Sequence, residues 1–364
     1  MAGARGPIRG VNLGNWLVLE RWMESAHTPG PFAGAVSDDE KGLRKELAED
    51  VLADRLAAHR ASYVTRDTFA WLERNSCNLV RLPVPFFVFG DETHESCIAH
   101  VDDAMDWAAE WGIPVLIDLH TVPGGQNGFD NGGASGLCTW HHKPLQVQQT
   151  LTVLEQLALR YANHPALFGM EPMNEPASRR IFAQSMQRYG ADHPNRVERS
   201  TPIPRGVLAQ FYQLVYERLR PILGPEVPLV FHDQFELDAW DRFMPAKLYP
   251  GVWIDTHQYV GTFARAAHLT SLRAHVLAAR ATGLRIARAS RHHPVLVGEW
   301  SLTNNLKGLK KAGEHERDRI MRVWATEQMR AFEKGMGGCF WALRNGRYDT
   351  WSLEAGIRHG WIEF

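Results

Sequence analysis

Cysteine is scarce in this sequence, and its few cysteines do not pair. Cys77, Cys97, Cys138 and Cys339 are scattered along the chain and show none of the short spacings of a zinc or redox motif. Scattered thiols of this kind are typical of proteins in a reducing compartment. We therefore expect four free cysteines and a cytoplasmic protein.

The sequence also lacks a secretory signal and a membrane span. Residues 1–9 contain no apolar signal core, and no later apolar run is long enough to cross a bilayer. The formal net charge is −1, so a polyanion would gain no electrostatic attraction. We expect neither nucleic acid nor a membrane as a partner, and the sequence leaves the oligomeric state open.

Metal and phosphate motifs are missing as well. The adjacent histidines at 141–142 and at 292–293 cannot both face one ion from a regular strand, and no H-E-x-x-H occurs. The glycine pair at 124–125 is not followed by the Lys-Ser/Thr of a phosphate loop. We predict no bound metal, and we interpret the glycine pair as a turn.

Tryptophan, by contrast, is abundant, with 13 residues. Some of them belong to the core, because Trp107 and Trp111 fall at helical spacing with apolar neighbours. Flat indole faces stack on the C–H faces of sugars. The excess of tryptophan therefore favours a carbohydrate ligand over a nucleotide.

Eight short apolar runs rich in β-forming residues recur along the chain, and most are separated by a segment with helical periodicity. This alternation predicts an α/β fold of the (β/α)8 barrel type. A doubly wound sheet is the alternative, but no G-x-G-x-x-G follows an early strand. The predicted strands are 8–13, 78–82, 114–119, 167–173, 228–231, 252–256, 294–297 and 338–341, and the clearest helices are 66–74, 101–111, 145–161, 207–219, 266–289 and 314–334.

We predict a single domain over residues 1–364, with a long insertion, 20–63, after the first strand. Loops that follow barrel strands form the rim of the site, so this insertion should shape substrate access. A Gly-rich stretch, 122–136, follows the third strand. The last residues, 344–364, are expected to pack against the barrel.

In a (β/α)8 barrel the catalytic residues lie at the C-terminal ends of the strands. Two glutamates at opposite sides of such a mouth are what hydrolysis of a glycosidic bond requires, one as the nucleophile and one as the acid and later the base. We expect Arg81 and Tyr259 to keep Glu299 ionised, and that charge to raise the pKa of Glu175. The polar and aromatic residues predicted at the strand ends are Arg81, Asp118, His120, Asn174, Glu175, His257, Tyr259, Glu299, Trp341 and Arg344.

Several of these residues admit a second interpretation. The two glutamates could form a buried ion network with Arg81 instead of a catalytic pair. His120 could donate to a sugar hydroxyl or serve the structure alone. Glu171 is interpreted as a buried barrel residue with an internal partner. Asn174 could hold a sugar hydroxyl, and Trp341 could form the floor beneath the sugar ring.

Short motifs occur in a fixed order along nearly the whole chain. They are 9–20 (RGVNLGNWLVLE), 80–83 (VRLP), 118–120 (DLH), 126–131 (QNGFDN), 174–176 (NEP), 257–259 (HQY), 298–300 (GEW) and 340–341 (FW). In this order they resemble glycoside hydrolase family 5, and within it the exo-β-1,3-glucanase-like branch known from fungi.

The resemblance implies a (β/α)8 barrel enzyme that retains the anomeric configuration and needs no cofactor. It implies Glu175 as the acid/base, Glu299 as the nucleophile, and Glu20 as a residue that helps to bind the terminal sugar. The residues that it implies around the sugar at subsite −1 are Arg81, His120, Asn174, His257, Tyr259 and Trp341.

Three features depart from the family pattern: the composition of the insertion 20–63, the missing secretion signal, and an aromatic residue at subsite +1. In that branch an aromatic residue after His-x-Tyr joins the aromatic of Gly-Phe-Asp, Phe129 here, to clamp the sugar at subsite +1. In this chain Thr262 takes the place, and Phe263 lies one position later. Together with the absence of a secretion signal, this departure favours oligosaccharides over polymeric glucan.

We therefore predict a retaining, exo-acting β-glycoside hydrolase that removes a terminal β-linked hexose, of the β-glucosidase or exo-β-1,3-glucosidase type. A β-mannosidase of the same family is the alternative. From another class, a non-catalytic sugar-binding barrel is disfavoured because both glutamates are present with Arg81 and Tyr259. An unrelated metal-dependent barrel hydrolase is a third alternative.

Overall fold

The computed structural model describes residues 6–261 and 270–364. In this part of the chain eight parallel strands form a closed barrel in sequence order, and the eighth strand pairs with the first. The predicted (β/α)8 fold is confirmed. The strands are β1 Ile8–Asn12, β2 Leu79–Val84, β3 Val115–Leu119, β4 Leu167–Glu171, β5 Leu229–His232, β6 Val252–Gln258, β7 Val295–Trp300 and β8 Gly337–Phe340.

Four strands end later than predicted, at Val84, His232, Gln258 and Trp300 instead of at residues 82, 231, 256 and 297. Arg81 was expected near the end of β2, which was predicted to stop at residue 82, but the strand continues to Val84 and the Arg81 side chain is buried. Likewise β6 includes His257 and β7 includes Glu299. In β6 and β7 the buried polar residues His257 and Glu299 interrupt the apolar run from which the strand end was predicted, so these two ends were placed too early.

Helices surround the barrel, and the six predicted ones are present in the described residues. The predicted helix 266–289 begins at Leu272, because Ser271 caps it by accepting from the amide of Ala274, so residues 270–271 are not helical, contrary to the prediction; residues 266–269 lie outside the described ranges. The helices are α1 Glu40–Glu46, α2 Glu49–Tyr63, α3 Arg66–Arg74, α4 Ile98–Glu110, α5 Pro144–Tyr161, α6 Arg179–Tyr189, α7 Pro194–Val197, α8 Arg205–Leu223, α9 Leu272–Ala289, α10 Glu314–Phe332 and α11 Leu353–Arg358. Short 3-10 turns are Arg21–Met23, Asp130–Gly132, Trp140–His142, Leu237–Trp240, Leu309–Lys311 and Asp349–Trp351.

The buried face of α8 differs from the expected one. The apolar residues at 207, 211, 214, 215 and 219 predict a buried stripe that includes Val207 and Leu214, but these two are 36% and 43% exposed. The buried side chains on this helix are Leu208, Phe211, Tyr212, Val215, Leu219 and Leu223. The tyrosine joins the apolar face because its hydroxyl donates to the carbonyl of His232 at 3.0 Å, which satisfies its polar end in the core.

The barrel interior changes from apolar to polar along its axis. A small cluster of Ile8, Leu79, Leu116, Val230, Leu296 and Cys339 fills the end at which the strands begin. Charged side chains, including Arg81 and Glu171, occupy the layer towards the strand ends. The apolar layer supports this charged layer from below, as expected for a filled barrel.

The insertion after β1 and the last residues both pack onto the barrel. The insertion has its own apolar cluster, which includes Phe32, Leu43 and Leu56. In the C-terminal segment the Trp361 indole donates to Asp318 of α10 at 2.7 Å. The expected packing of residues 344–364 is therefore confirmed.

The four cysteines are buried and unpaired, as predicted. None of the helices in the described ranges is both long and apolar enough to cross a membrane.

Candidate active site

Arg81 is the centre of a buried hydrogen-bond network beneath the barrel mouth. Its guanidinium donates from Nε to Glu171 at 2.8 Å, from Nη1 to Glu299 at 3.0 Å, and from Nη2 to Asn174 at 2.8 Å. Nη2 also lies 3.1 Å from Asp118. Such a fork of donors holds several acceptors in fixed positions, so Arg81 positions both Glu299 and Asn174. The predicted internal partner of Glu171 is Arg81.

Glu299 lies near the end of β7 and is held by two donors. Arg81 binds its Oε1, and the hydroxyl of Tyr259 donates to its Oε2 at 2.6 Å. These are the two neighbours expected from the sequence. The carboxylate is 3% exposed, so it faces a substrate from a site that excludes most water.

Glu175 follows β4 in a left-handed backbone conformation, with φ of 45°. This conformation is uncommon for a residue with a side chain and turns the carboxyl out of the strand direction. Its Oε2 accepts from Asn131 at 2.9 Å, and its Oε1 accepts from Nδ1 of His257 at 2.7 Å. The local backbone and two donors together fix the direction of the carboxyl.

The two glutamates meet at His257. Nδ1 of His257 lies 2.7 Å from Oε1 of Glu175 and 3.3 Å from Oε2 of Glu299, so these oxygens are no farther apart than the two distances together, about 6 Å. Carboxyl groups lie about 5–5.5 Å apart in retaining glycosidases and about 6.5–9.5 Å apart in inverting ones. The arrangement matches the retaining geometry.

The predicted order of the two pKa values is wrong for the free protein. Burial favours the protonated form of Glu175, but the hydrogen bond and charge of His257 outweigh it and lower the pKa of Glu175 to about 2. Burial raises the pKa of Glu299. Burial also opposes a charge on His257, yet Glu299 and Asp255 raise the pKa of this imidazole well above its usual value. The shared proton therefore resides on His257.

Trp341 and His120 form a flat surface beside this pair. Their rings stack at 5.4 Å with an angle of 12° between planes. Nδ1 of His120 lies 2.5 Å from Asp118, which fixes the ring. A Cβ at Gly14 would lie 2.8 Å from the Trp341 indole, so only glycine leaves room for that ring. Such an aromatic surface suits the C–H face of a sugar.

The site opens into a cavity of about 330 Å³, a size typical of small-ligand sites. On one side Glu20 and Trp22 come from the insertion, and Oε2 of Glu20 accepts from the Trp22 indole at 2.7 Å. Burial and the nearby Asp130 raise the pKa of Glu20 well above its usual value. The lining residues are Glu20, Trp22, Phe129, Asp130, Asn131, Glu175, Ile181, Gln184, Arg188, Phe235, Tyr259, Glu299, Trp341, Tyr348 and Trp351.

The structure brings the predicted site residues together. Those lining the cavity are Glu20, Phe129, Glu175, Tyr259, Glu299 and Trp341, and those in contact just beneath it are Arg81, His120, Asn174 and His257. Arg344 was expected at the same mouth, but its guanidinium binds Glu354 and the carbonyl of Tyr63 on the outer side of the C-terminal segment. Thr262 and Phe263 lie outside the described residues.

Sequence reasoning gave no role to several polar residues of the site, among them Asn131 and His232. Asn131, which holds Glu175, was present in the QNGFDN motif but was assigned no role. His232 ends β5, and its Nδ1 accepts the backbone N–H of Gln234 at 3.1 Å. Burial lowers the pKa of His232 to about 3, so this ring stays neutral beside His257, 4.5 Å away. The strand-end rule would have found His232 had it been applied to β5.

Two clusters of ligand-type atoms lie in the site. Atoms of Glu175, His232 and His257 lie within 4.8 Å of one another, and so do atoms of Glu171, Asp255 and His257. Both clusters share His257, whose two nitrogens lie 2.7 Å from Glu175 and 3.0 Å from Asp255. The hydrogen bonds account for the clustering, and the absence of metal stays a prediction.

Comparison with known proteins places this geometry in a family. The family model described as cellulase (glycosyl hydrolase family 5) matches residues 54–346. The chain belongs to glycosyl hydrolase family 5. It is therefore an O-glycosyl hydrolase of a retaining family, and the predicted family resemblance is confirmed.

Relatives and solved structures agree with this assignment. The chain is 32% identical to a probable glucan 1,3-beta-glucosidase A of Emericella nidulans, over 81% of this chain and 67% of the relative. It is also 32% identical to a protein of the same name from Aspergillus fumigatus, over 98% of this chain and 87% of the relative. The crystal structure of rutinosidase from Aspergillus niger superposes with a TM-score of 0.79 at 20% identity, covering 98% of both chains, and shares the fold.

Proposed function

We propose that this family 5 hydrolase removes terminal β-linked glucose from oligosaccharides, with β-1,3-linked glucose as its main substrate. The observation that carries the proposal is the pair of carboxylates, Glu175 and Glu299, held within about 6 Å of each other around His257. The names of the fungal relatives supply the sugar and the linkage.

In the first step Glu299 attacks the anomeric carbon, and the bond from this carbon to the leaving oxygen breaks. Glu175 delivers a proton to that oxygen, so the leaving sugar departs as a neutral alcohol. In the free protein this proton resides on His257. Nδ1 of His257 lies 2.7 Å from Glu175 and supplies the proton that Glu175 passes to the leaving oxygen. Tyr259 and Arg81 orient the nucleophile.

In the second step water attacks the glycosyl ester on Glu299. Glu175 removes a proton from this water, and the proton returns to His257 through the same hydrogen bond. The ester bond breaks, Glu299 leaves as a carboxylate, and the sugar is released with its original configuration. The two steps together are balanced in protons, since one proton leaves His257 in the first step and one returns to it in the second.

The wall built by the insertion supports removal of a terminal sugar. Glu20 and Trp22 line one side of the cavity beside the glutamates, and Tyr348 and Trp351 of the C-terminal segment complete it. The Trp22 and Trp351 rings meet edge to face at 5.2 Å. A wall of packed aromatic rings at this side favours chain ends over internal positions of a long polymer.

Turnover of aryl glycosides tests the proposal. Nitrophenyl β-glucoside, β-mannoside and β-xyloside should be compared at equal concentration, together with a β-1,3-linked and a β-1,4-linked glucose disaccharide. We expect the β-glucoside to exceed the other aryl glycosides at least tenfold in kcat/KM. A preference for the mannoside would instead favour a β-mannosidase, and no turnover of any substrate would favour a sugar-binding barrel.

A cytoplasmic location is also part of the proposal. Four buried, unpaired cysteines support it, because such thiols persist in a reducing compartment. Fractionation of the source cells with an antibody against the protein tests it, and recovery in the medium would contradict it.

A further inference from the structure

Asp255 is a buried carboxylate of β6, and both of its oxygens contact neighbours of the two glutamates. Its Oδ2 lies 3.0 Å from Nε2 of His257. Its Oδ1 accepts from the backbone amide of Gly298, the residue before Glu299 on β7, at 2.6 Å. Asp255 therefore contacts both the imidazole that serves Glu175 and the backbone that carries Glu299.

The bond to Gly298 lies at an irregularity of β7. Leu296 is opposite Asp255 in the pairing of β6 with β7, but Glu299 is opposite His257. Strand β7 thus contains one residue more than β6 over this stretch, which makes a β-bulge, and bulges next to active sites redirect a side chain. The amide of Gly298 within the bulge is satisfied by the Asp255 side chain.

Gly298 permits this close approach because it has no side chain. A Cβ at this position would collide with Oδ2 of Asp255. The carbonyl of Gly298 accepts from Nδ2 of Asn12 at 2.9 Å. Side chains of β1 and β6 therefore bind both polar groups of the glycine, and the same contacts fix the position of the Asp255 carboxylate.

These contacts determine which nitrogen of His257 keeps its proton. Burial opposes a charge on Asp255, but His257 and Arg81 outweigh burial and lower the pKa of Asp255 below its usual value. An ionised carboxylate can only accept hydrogen bonds, so Nε2 of His257 must donate to it. Because the bond at one ring nitrogen sets the state of the other, Nδ1 is left as the nitrogen that can exchange a proton.

The other groups around His257 lie nearer to its Nδ1 or face the ring from the side. Nδ1 is 2.7 Å from Glu175 and 3.3 Å from Glu299, and the ring of His232 is 4.5 Å away between centres. The charged and titratable groups that surround this imidazole are Arg81 of β2, Glu171 of β4, Glu175 after it, His232 and Asp233 at the end of β5, Asp255 of β6 and Glu299 of β7.

We propose that Asp255 is a positioning residue that keeps a proton on Nε2 of His257, so that Nδ1 is the nitrogen that exchanges its proton with Glu175. In the first step Nδ1 gives its proton to Glu175, and His257 becomes neutral while Nε2 still donates to Asp255. In the second step the proton from water returns through Glu175 to Nδ1. This role rests on the function proposed above for Glu175 and Glu299.

Asp255→Asn should reverse the preference of His257. The amide of Gly298 can only donate, so the oxygen of the new side chain must face it, and the NH2 group then donates to Nε2. His257 is held neutral in this variant, with its single proton on Nδ1. It can still donate to Glu175, but it no longer carries the second proton that Glu175 passes on.

Nitrogen-15 NMR of protein labelled at histidine reads the two nitrogens of His257, and the His257→Asn variant assigns their signals. In the wild type both nitrogens should be protonated at neutral pH, and Nδ1 should lose its proton first as the pH rises. In Asp255→Asn, Nε2 should be unprotonated at neutral pH. Loss of the Nε2 proton first in the wild type would overturn the proposal, even if the variant failed to fold.

The pH profile of kcat/KM shows whether this proton serves the reaction. With a β-1,3-linked glucose disaccharide, Asp255→Asn should move the alkaline limb to lower pH by at least about one unit. With a dinitrophenyl β-glucoside, whose leaving group needs no proton, kcat/KM should stay within about threefold of the wild type. Asp255→Asn should shift the limb no further in a His257→Asn background, because Asp255 acts through His257.

Asp102→Asn is the control for the loss of a hydrogen-bonded carboxylate. Asp102 also accepts at both oxygens, from Arg160 and Tyr161, but it lies on helix α4. This variant should leave the pH profile unchanged with both substrates. Equal losses with the two substrates in Asp255→Asn would mean that Asp255 only supports the backbone at Glu299, and would overturn the proposal.

Failure of the proposed function would look different. If the wild type turned over neither the disaccharide nor the aryl glucoside, the proposed function would be lost. The nitrogen-15 signals of His257 would still decide where its proton resides, because they do not depend on turnover.

Discussion

Nδ1 of His257 donates a hydrogen bond of 2.7 Å to Oε1 of Glu175. The same nitrogen lies 3.3 Å from Oε2 of Glu299. One imidazole proton is therefore shared between the acid/base and the nucleophile proposed for this site. The protonation states of Glu175, His257 and Glu299 therefore depend on one another, and so should the pH dependence of activity.

The pH dependence of kcat/KM should report Glu299 on its acid side and His257 on its alkaline side. Burial raises the pKa of Glu299 above its usual 4.5, so activity should fall as the pH drops through a value above 4.5, because a protonated Glu299 cannot attack. The pKa of His257 is raised well above 6.5, so activity should persist above pH 6.5 until that proton is lost.

His257→Asn should move the alkaline limb of this profile to lower pH by at least about one unit. Asparagine can still donate to Glu175 but holds no exchangeable charge, so the limb then reports Glu175 alone. His315→Asn, at an exposed position on α10, is the control and should leave the profile unchanged. An alkaline limb that stays in place in His257→Asn would contradict the proton-holding role.

Glu299→Gln should abolish turnover while the protein stays folded. An amide cannot form the glycosyl ester, and loss of a covalent nucleophile costs several orders of magnitude. The amide oxygen can still accept from Arg81, and the amide NH2 can donate to the hydroxyl oxygen of Tyr259, so circular dichroism and the melting temperature should change little. More than about a tenth of wild-type activity in the purified variant would mean that another residue is the nucleophile.

The configuration of the first product tests the retaining geometry directly. The short distance between Glu175 and Glu299 leaves no room for a water between carboxylate and anomeric carbon. Proton NMR during the first minutes of hydrolysis of a β-glucoside should therefore show the β-anomer, before mutarotation. An initial α-anomer would exclude the double-displacement mechanism.

The stability of the insertion should depend on the protonation of Glu24. Burial raises its pKa from 4.5 to about 7, although hydrogen bonds from Phe32 and Gly30 oppose the shift. Between pH 4.5 and 7 the unfolded chain releases this proton while the folded chain keeps it, so the free energy of unfolding falls as the pH rises through this window.

Glu24→Gln removes the fall in unfolding free energy between pH 4.5 and 7, because glutamine does not titrate, and it keeps the shape of the side chain. At each pH, the measured quantity is the unfolding free energy of the variant minus that of the wild type. We expect this difference to be larger at pH 8 than at pH 4.5 by on the order of 1 kcal/mol, allowing for partial contact with water. Urea denaturation at the two pH values measures it. Glu226→Gln, at an exposed loop position, should show no such difference, and equal behaviour of the two variants would refute the prediction.

The fold was predictable because each barrel strand is buried on both faces and reads as a short apolar run. The errors lie where a strand carries the site. His257 and Glu299 interrupt the apolar pattern, so the predicted β6 and β7 end too soon. Their burial is possible because they satisfy one another through hydrogen bonds between different strands, and a single strand's sequence does not reveal such partners.

The members of the site were predictable from strand ends and motifs, but its electrostatics were not. The expected pKa order treated Glu175 as a neighbour of a charged Glu299 alone. The structure adds His257 at 2.7 Å from Glu175 and Asn131 at 2.9 Å, and these donors decide the direction of the shift. Distances of this kind depend on side-chain orientation across the barrel, which spacing along the chain does not encode.

Glu175→Ala separates the acid/base from the nucleophile, because this residue acts in both steps on different partners. A dinitrophenolate leaves without protonation, so the first step with a dinitrophenyl β-glucoside should stay fast. The second step loses its base and becomes limiting. The glycosyl-enzyme should then accumulate, which gives a burst of dinitrophenolate and a low apparent KM in stopped-flow measurements.

Added azide distinguishes this variant from one that is simply damaged. Azide attacks the glycosyl ester on Glu299 without a base, so it should raise turnover of the dinitrophenyl substrate and yield a β-glucosyl azide, identified by NMR. A disaccharide, whose leaving oxygen must be protonated, should hardly react with or without azide. The left-handed backbone of Glu175, with φ of 45°, and its bond to Asn131 fix the direction of its carboxyl. If azide gave no rescue and both substrates lost activity in equal proportion, Glu175 would not be the acid/base, and the proton would have to reach the leaving oxygen from His257 directly.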